Sequence, residues 1–275
     1  MPVCLAAARL LAPTVCAALL LAGCASSSSS SSAPPPRPLA GPPGAPASPA
    51  PVSPAPVSPA PASPAPVSPA PVSPSPAPRG LPGVGPETGA ALTDGTLQAL
   101  VVTGATRDTH TAEAVLYERA HADAPWTRVL GPWPAHNALR GWTPDHTEGD
   151  LRTPIGVFGL GDAGGLLPDP GTLLPYDQDE DFGISGEGFL GEPLEGSFDY
   201  VVAIDYNRVP GTTPLDAERP LGEERGGGVW IHVDHQGPTQ ACISLALDHM
   251  RELLRALDPA GLPVIVMGPE ADLRR

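Results

Sequence analysis

Gly226-Gly-Gly-Val-Trp-Ile-His-Val-Asp-His-Gln-Gly-Pro-Thr-Gln-Ala-Cys-Ile-Ser-Leu245 is the stretch on which the reading of this chain turns. Val229 to Val233 has the apolar, β-branched and aromatic content of a strand, and Ile243 to Leu245 offers a second. Between them, Asp234 to Gln236 and Gly237-Pro238 carry turn chemistry. If the two strands pair, His232 and Cys242 face one another across a short connection. Just downstream, Met250, Leu253, Leu254 and Leu257 recur at the spacing of one helix face, and Asp258-Pro-Ala-Gly261 ends that run.

Further out, short apolar runs separated by Gly, Pro and Asp read as strands over 97–102, 114–118, 126–130, 157–160, 200–206 and 263–267. The expectation is a mostly β domain with one helix packed just after the cysteine.

Composition divides the 275 residues before any fold argument begins. Of the 40 prolines, 22 lie between Ala33 and Pro86. Such a segment cannot bury enough apolar surface to offset its ordering entropy. A Ser-Pro-Ala-Pro-Val/Ala repeat with a period of five favours polyproline II, so residues 33–86 would reach about 160 Å at ~3.1 Å per residue. A semi-rigid spacer is the expectation, with an SH3-type ligand the competing reading. All 30 acidic residues lie at or after Glu87, against 12 arginines there. That balance argues against nucleic acid as a partner. The chain has no lysine, which excludes Schiff-base chemistry and any Ser-x-x-Lys acyl transfer.

Residues 1–23 read as a signal peptide, with Arg9 before a mostly apolar run from Leu10 to Ala22. Leu21-Ala22-Gly23-Cys24 resembles a bacterial lipobox, which implies diacylation of Cys24 and cleavage before it. A plain secretory signal ending at a small-residue site is the alternative. The expected organisation is a leader (1–23), a Ser- and Pro-rich spacer (24–89) and a folded domain (90–275). Processing of this kind removes Cys4 and Cys16 and blocks Cys24, so Cys242 is the one thiol expected in the mature chain.

A thiolate is the attacking form of cysteine, and a nearby imidazole lowers its pKa or accepts its proton. Cys242 and His232 therefore suggest a nucleophile and its base. The competing reading is an inert buried cysteine beside a satisfied histidine. Backbone N–H groups of Gln240, Ala241 and Cys242, held in a tight turn, would supply the oxyanion donors. His235 and His249 are weaker candidates. Asp177-Gln-Asp179-Glu-Asp181 starts like a calcium loop, but Phe182 and Gly188 stand where glycine and a bidentate glutamate are needed. No His/Cys group has zinc spacing, and no metal or cofactor is implied.

Four ordered motifs then carry a resemblance. They are Thr153-Pro154-Ile-Gly156-Val-Phe158, Asp205-Tyr206-Asn207-Arg208, Ile231-His232, and Gly237-Pro-Thr239-Gln-Ala-Cys242-Ile-Ser-Leu245. Together they resemble the L,D-transpeptidase (YkuD-like) catalytic domain, in the short His-to-Cys form of secreted actinobacterial members. The resemblance spans roughly residues 97–268. It implies a β-sandwich-like fold, Cys242 as nucleophile, His232 as base and Thr239, Gln240 and Ala241 around the oxyanion. It also implies peptidoglycan stem peptides as partners, an L,D-transpeptidase activity that cross-links the cell wall, and an enzyme held by Cys24 on the outer leaflet of the cytoplasmic membrane. L,D-carboxypeptidase action on the same substrate, or an inactive wall-binding lipoprotein, are the alternatives. Sortases and NlpC/P60 peptidases fit less well, the former lacking their Thr-Leu-x-Thr-Cys here and the latter placing cysteine before histidine. Around the nucleophile this chain departs from the family, with Ala241 for the usual glycine, Gln240 for a histidine and Ser244 for an arginine. Alanine at 241 is compatible only with a backbone that needs no positive φ there.

Overall fold

The computed structural model describes residues 80–275. The expected signal peptide, Cys24 and the spacer up to residue 79 lie outside the described residues. Twelve strands and three short α-helices make up the described part. The strands are β1 (Gln98–Gly104), β2 (Thr111–Glu118), β3 (Thr127–His136), β4 (Trp142–Thr143), β5 (Thr153–Pro154) and β6 (Gly156–Gly159), then β7 (Ala163–Gly165), β8 (Tyr176–Gln178), β9 (Val201–Ala203), β10 (Trp230–Val233), β11 (Ile243–Leu245) and β12 (Val264–Pro269). The helices are α1 (Pro86–Gly89), α2 (Leu247–Ala256) and α3 (Glu270–Leu273). The fold is thus mostly β, with few helices.

Ten strands form one sheet in the order β6-β12-β1-β2-β3-β11-β10-β9-β7-β8, and β4 pairs with β5 separately. The expected strands fall within a few residues of β1, β2, β3, β6, β9, β10 and β12. β10 and β11 do pair, and they run parallel, with Ile231 opposite Ile243, His232 opposite Ser244 and Val233 opposite Leu245. Parallel neighbours ordinarily need a dozen or more residues to cross over. Here residues 234–242 suffice because they are tied outside the sheet pair: Thr239 N–H donates to the Asn137 carbonyl at 3.0 Å and Leu139 N–H to the Thr239 carbonyl at 2.9 Å.

Paired residues on parallel strands share a face, so the alternation in β10 and β11 sorts the two sides. Ile231, Val233, Ile243 and Leu245 join Met250, Leu253, Leu254 and Leu257 in the main core. Burying each such side chain contributes about 1.5–3 kcal/mol, which holds α2 against this side of the sheet. The opposite face carries Trp230, His232, Cys242 and Ser244. There Trp230 and Cys242 pack with Phe182, Phe198, Val201 and Ala203 in a smaller cluster.

Packing extends N-terminal to the expected domain start at residue 90. Leu81 is buried against Val101, Trp126 and Leu273. The amides of Gly85 and Glu87 donate to the carbonyls of Leu273 and Arg275 at 2.8 and 2.9 Å, which clips this segment to the C-terminus.

Candidate active site

Of the four motifs, two are scaffold. Thr153 is fully buried, and its hydroxyl oxygen accepts from the Ala138 N–H at 3.0 Å. Ala138 in turn bridges Thr239, so Thr153 acts on the turn before Cys242 through one intermediate strand of backbone. In the Asp205–Arg208 motif, the Arg208 guanidinium is buried and donates to Asp162 at 2.8 Å, to Asp205 at 2.5 Å and to the Thr212 carbonyl at 2.7 Å. Tyr206 donates its hydroxyl to the Arg225 carbonyl at 2.9 Å, and Asn207 holds the carbonyls of Gly222 and Gly226. This motif anchors the chain that leads into the glycine run before β10.

The other two motifs meet. His232 is opposite Ser244, and Cys242, the residue just before β11, lies two positions before Ser244 and so on the same face as His232. His232 is 3% exposed and donates Nδ1–H to the Val233 carbonyl at 2.9 Å, the arrangement that leaves Nε2 as the acceptor. This orienting partner is a backbone carbonyl and leaves no mark in the sequence. Burial pushes the imidazole down to about 4, further lowered by His235, against the opposing effects of the Val233 carbonyl and Asp234. At neutral pH His232 is therefore uncharged and equipped to take a proton. The ring of Phe198 meets it edge-on at 5.3 Å.

Cys242 has no exposed surface. The Trp230 N–H donates to its sulfur at 3.4 Å, and the Gly228 carbonyl oxygen lies 3.8 Å away. Cys242 is disulfide-bonded here. Nucleophilic chemistry at this position would require the reduced form of Cys242.

The turn before the sulfur is held by Thr239, whose hydroxyl donates to the Cys242 carbonyl at 2.7 Å. The amides of Gln240 and Ala241 donate to nothing among the described residues, so both remain available to an oxyanion. Ala241 is absent from the positive-φ residues, and its methyl group is buried in the main core. The alanine is thus accommodated by conformation and by packing. Ser244 donates to Asp234 at 2.6 Å, and the same carboxylate oxygen receives His136 at 2.7 Å. Burial alone would raise Asp234, but these two hydrogen bonds hold it below the usual carboxylate range.

A pocket beside the dyad is lined by Ser197, Phe198, His232, His235, Thr239 and Gln240, with Ile184 and Phe189 at its apolar side. It thus joins His232 to the proposed oxyanion residues. His235 is brought in, stacked on His232 at 5.8 Å and 9° between planes. His249 is not: it stacks on Trp133 at 5.0 Å. The acidic run 177–181 folds locally, with Asp179 accepting from the Asp181 amide at 2.8 Å, and no group of three metal-ligating side chains occurs among the described residues.

Two residues at the site, Ser197 in the pocket wall and Glu192 behind His235, carry no sequence signal. Ser197 is 2% exposed, and its hydroxyl has no hydrogen-bond partner among the described residues although it lines the pocket; its carbonyl accepts from the Val233 N–H at 3.0 Å. A buried hydroxyl left unpartnered costs about 1–3 kcal/mol, which a ligand carbonyl or amide in the pocket would offset. Glu192 reaches His235 Nδ1 at 3.1 Å across 43 positions of sequence. No family model, no curated protein and no solved structure matches this chain.

Proposed function

We propose that the chain is an L,D-transpeptidase-like cysteine acyltransferase acting on peptidoglycan stem peptides, with its domain of the YkuD-like type. The observation that carries the reading is His232 on the same sheet face as Cys242, its Nδ1–H committed to the Val233 carbonyl, which leaves Nε2 as the proton acceptor. Because the imidazole is uncharged, it works as a general base on the thiol during attack, in place of a standing imidazolium–thiolate pair. The sulfur forms a bond to the carbonyl carbon on the L-centre side of an L,D-peptide bond. The oxyanion is received by the Gln240 and Ala241 amides, the C–N bond breaks, and the proton held by His232 passes to the departing D-amino acid. An acceptor amine then forms a new amide and releases the thiolate; water in its place gives L,D-carboxypeptidase action. A diacylated Cys24 would tether the enzyme to the outer leaflet, with the spacer spanning toward the wall.

Complete burial of Cys242 favours a second reading, a wall-binding lipoprotein without turnover. One experiment separates the two. After reduction, incubation with a carbapenem is expected to give a single covalent adduct by intact-protein mass spectrometry, lost in Cys242→Ala. No adduct, together with no D-alanine release from a stem tetrapeptide, would overturn the enzyme reading. A Cys24→Ala variant is expected to leave the membrane fraction, and its retention there would contradict the anchor.

A further inference from the structure

We infer that Glu192 and His235 form a second proton-accepting pair, which takes the proton from the acceptor amine in the second half-reaction; this rests on the acyl-transfer reading above. Each half-reaction has its own proton to move. In the first, the thiol proton goes to His232 and then to the leaving amine. In the second, the incoming amine arrives as an ammonium, must lose a proton to become nucleophilic, and loses another as the amide forms.

The geometry supplies a separate site for that task. His235 lines the same pocket as His232, its ring stacked parallel to it at 5.8 Å. Its Nδ1 faces Glu192 Oε1 at 3.1 Å, so Nδ1–H is donated to the carboxylate and Nε2 is the nitrogen left to a ligand in the pocket. Both side chains are shielded, at 6% and 11% exposure. The other oxygen of Glu192 accepts from the Leu190 N–H at 2.7 Å. Burial raises the Glu192 carboxyl, but this bond, its own amide and His235 together hold it below the usual range, so it remains a carboxylate.

The surrounding chain is cut to admit this carboxylate. A Cβ at Gly188 or at Gly237 would collide with it, and glycine at both positions leaves the space. Gly237 belongs to the turn that leads to the nucleophile, so the carboxylate is seated directly against that turn. Glu192 reaches the pocket only through His235; among the residues that line the pocket itself, Glu187 carries the one carboxylate and no arginine is present, which suits a cationic amine.

In the step itself, His235 Nε2 takes a proton from the ammonium of the acceptor. The amine lone pair forms the C–N bond to the thioester carbonyl, the C–S bond breaks, and Cys242 leaves as the thiolate. His232, protonated at the opening of the cycle and emptied when the first amine departs, takes the second proton and returns it to the thiolate. Glu192 acts through His235 as a positioning residue, fixing the tautomer and stabilising the imidazolium that forms.

The test loads the reduced full-length protein with an acyl group on Cys242 and follows loss of the thioester by mass spectrometry with two amines. D-Alanine presents a protonated amine near neutral pH, whereas hydroxylamine is already uncharged and needs no base. The readout is the ratio of the two rates. In Glu192→Gln and in His235→Gln, each first shown to be folded by thermal unfolding, the ratio is expected to fall by about 100-fold or more, the contribution typical of general-base catalysis. Hydroxylamine would thus rescue both variants. An unchanged ratio, or a wild-type protein that transfers to hydroxylamine and water but never to D-alanine, would overturn the inference while leaving the acyltransferase standing. Failure to form the thioester at all is read before any acceptor is added; it would remove the underlying reading and this inference with it.

Discussion

The Thr239 hydroxyl donates to the carbonyl of Cys242 at 2.7 Å, in a region where both residues are almost fully buried. One side chain thus fixes the direction of the peptide that follows the sulfur. Removing the donor leaves a buried carbonyl without its partner. Thr239→Val is expected to cost about 1–3 kcal/mol, whereas Thr239→Ser keeps the bond and costs less. For a domain of this size each kcal/mol is about 2–4 °C in Tm, so calorimetry separates the two variants. Adduct formation at Cys242 should slow in the valine variant and not in the serine one.

His232 is held down to about 4 by burial, against an unfolded value near 6.5. Between those values the unfolded chain binds more protons than the folded one, so stability falls as pH falls through that window. The shift corresponds to roughly 3 kcal/mol at most, fully lost below about pH 4. Burial lowers His146 as well, outweighing the neighbouring Asp150, and adds in the same sense. His136 works oppositely: its hydrogen bond to Asp234 raises it, giving stability that is present below about 6.5 and lost as pH rises through its folded value. Urea unfolding from pH 7 to 4 should show a slope that is shallower in His232→Gln.

The same value makes a kinetic prediction. With the base uncharged well below neutrality, adduct formation should show no acid limb near 6.5, and the rate should persist to about pH 5. His232→Gln should lower that rate by about 100-fold or more, the contribution typical of a positioned base. A limb at the value of an exposed histidine would contradict the buried imidazole.

Arg208 sits between Asp162 and Asp205 with all three shielded. Arg208→Met leaves two buried carboxylates without a cation, which typically costs 3–5 kcal/mol, or about 10 °C in Tm. Arg208→Lys is expected to recover part of it, because one ammonium cannot serve both carboxylates and the Thr212 carbonyl in the planar arrangement of a guanidinium.

Ala241→Gly introduces the residue usual at this place in the L,D-transpeptidases that the sequence resembles, yet the structure gives that change nothing to relieve. Residue 241 needs no positive φ, and its methyl group fills part of the main core. The variant is expected to be less stable by about 1 kcal/mol from lost packing and added chain entropy. A gain in Tm would mean that the alanine is strained.

How far the fold is legible depends on what each element presents. β10, β11 and α2 announce themselves because one face of each is apolar at the period of its own geometry. β7 and β8 do not, since Ala163-Gly-Gly165 and Tyr176-Asp-Gln178 have neither alternation nor bulk; only their pairing with each other and of β7 with β9 makes them strands. The site divides in the same way. His232 and Cys242 stand out by residue type and spacing. The Val233 carbonyl has no side chain to read, Ser197 is one serine among many, and Glu192 meets His235 only because chain 43 positions away folds back over the turn. Reading Ser244 as a missing arginine likewise hides that it donates, with His136, to Asp234.

The position of β10 and β11 in the middle of the ten-stranded order has a consequence for local opening. β11 is flanked by β3 and β10, and β10 by β11 and β9, so neither strand has a free edge from which to fray. Amides of such strands exchange with solvent only when the whole domain opens, whereas edge strands such as β6 and β8 exchange through smaller fluctuations. The amides of β10 and β11, which carry His232 and lead out of Cys242, should therefore be among the slowest to exchange of the described residues, a result that amide hydrogen exchange checks.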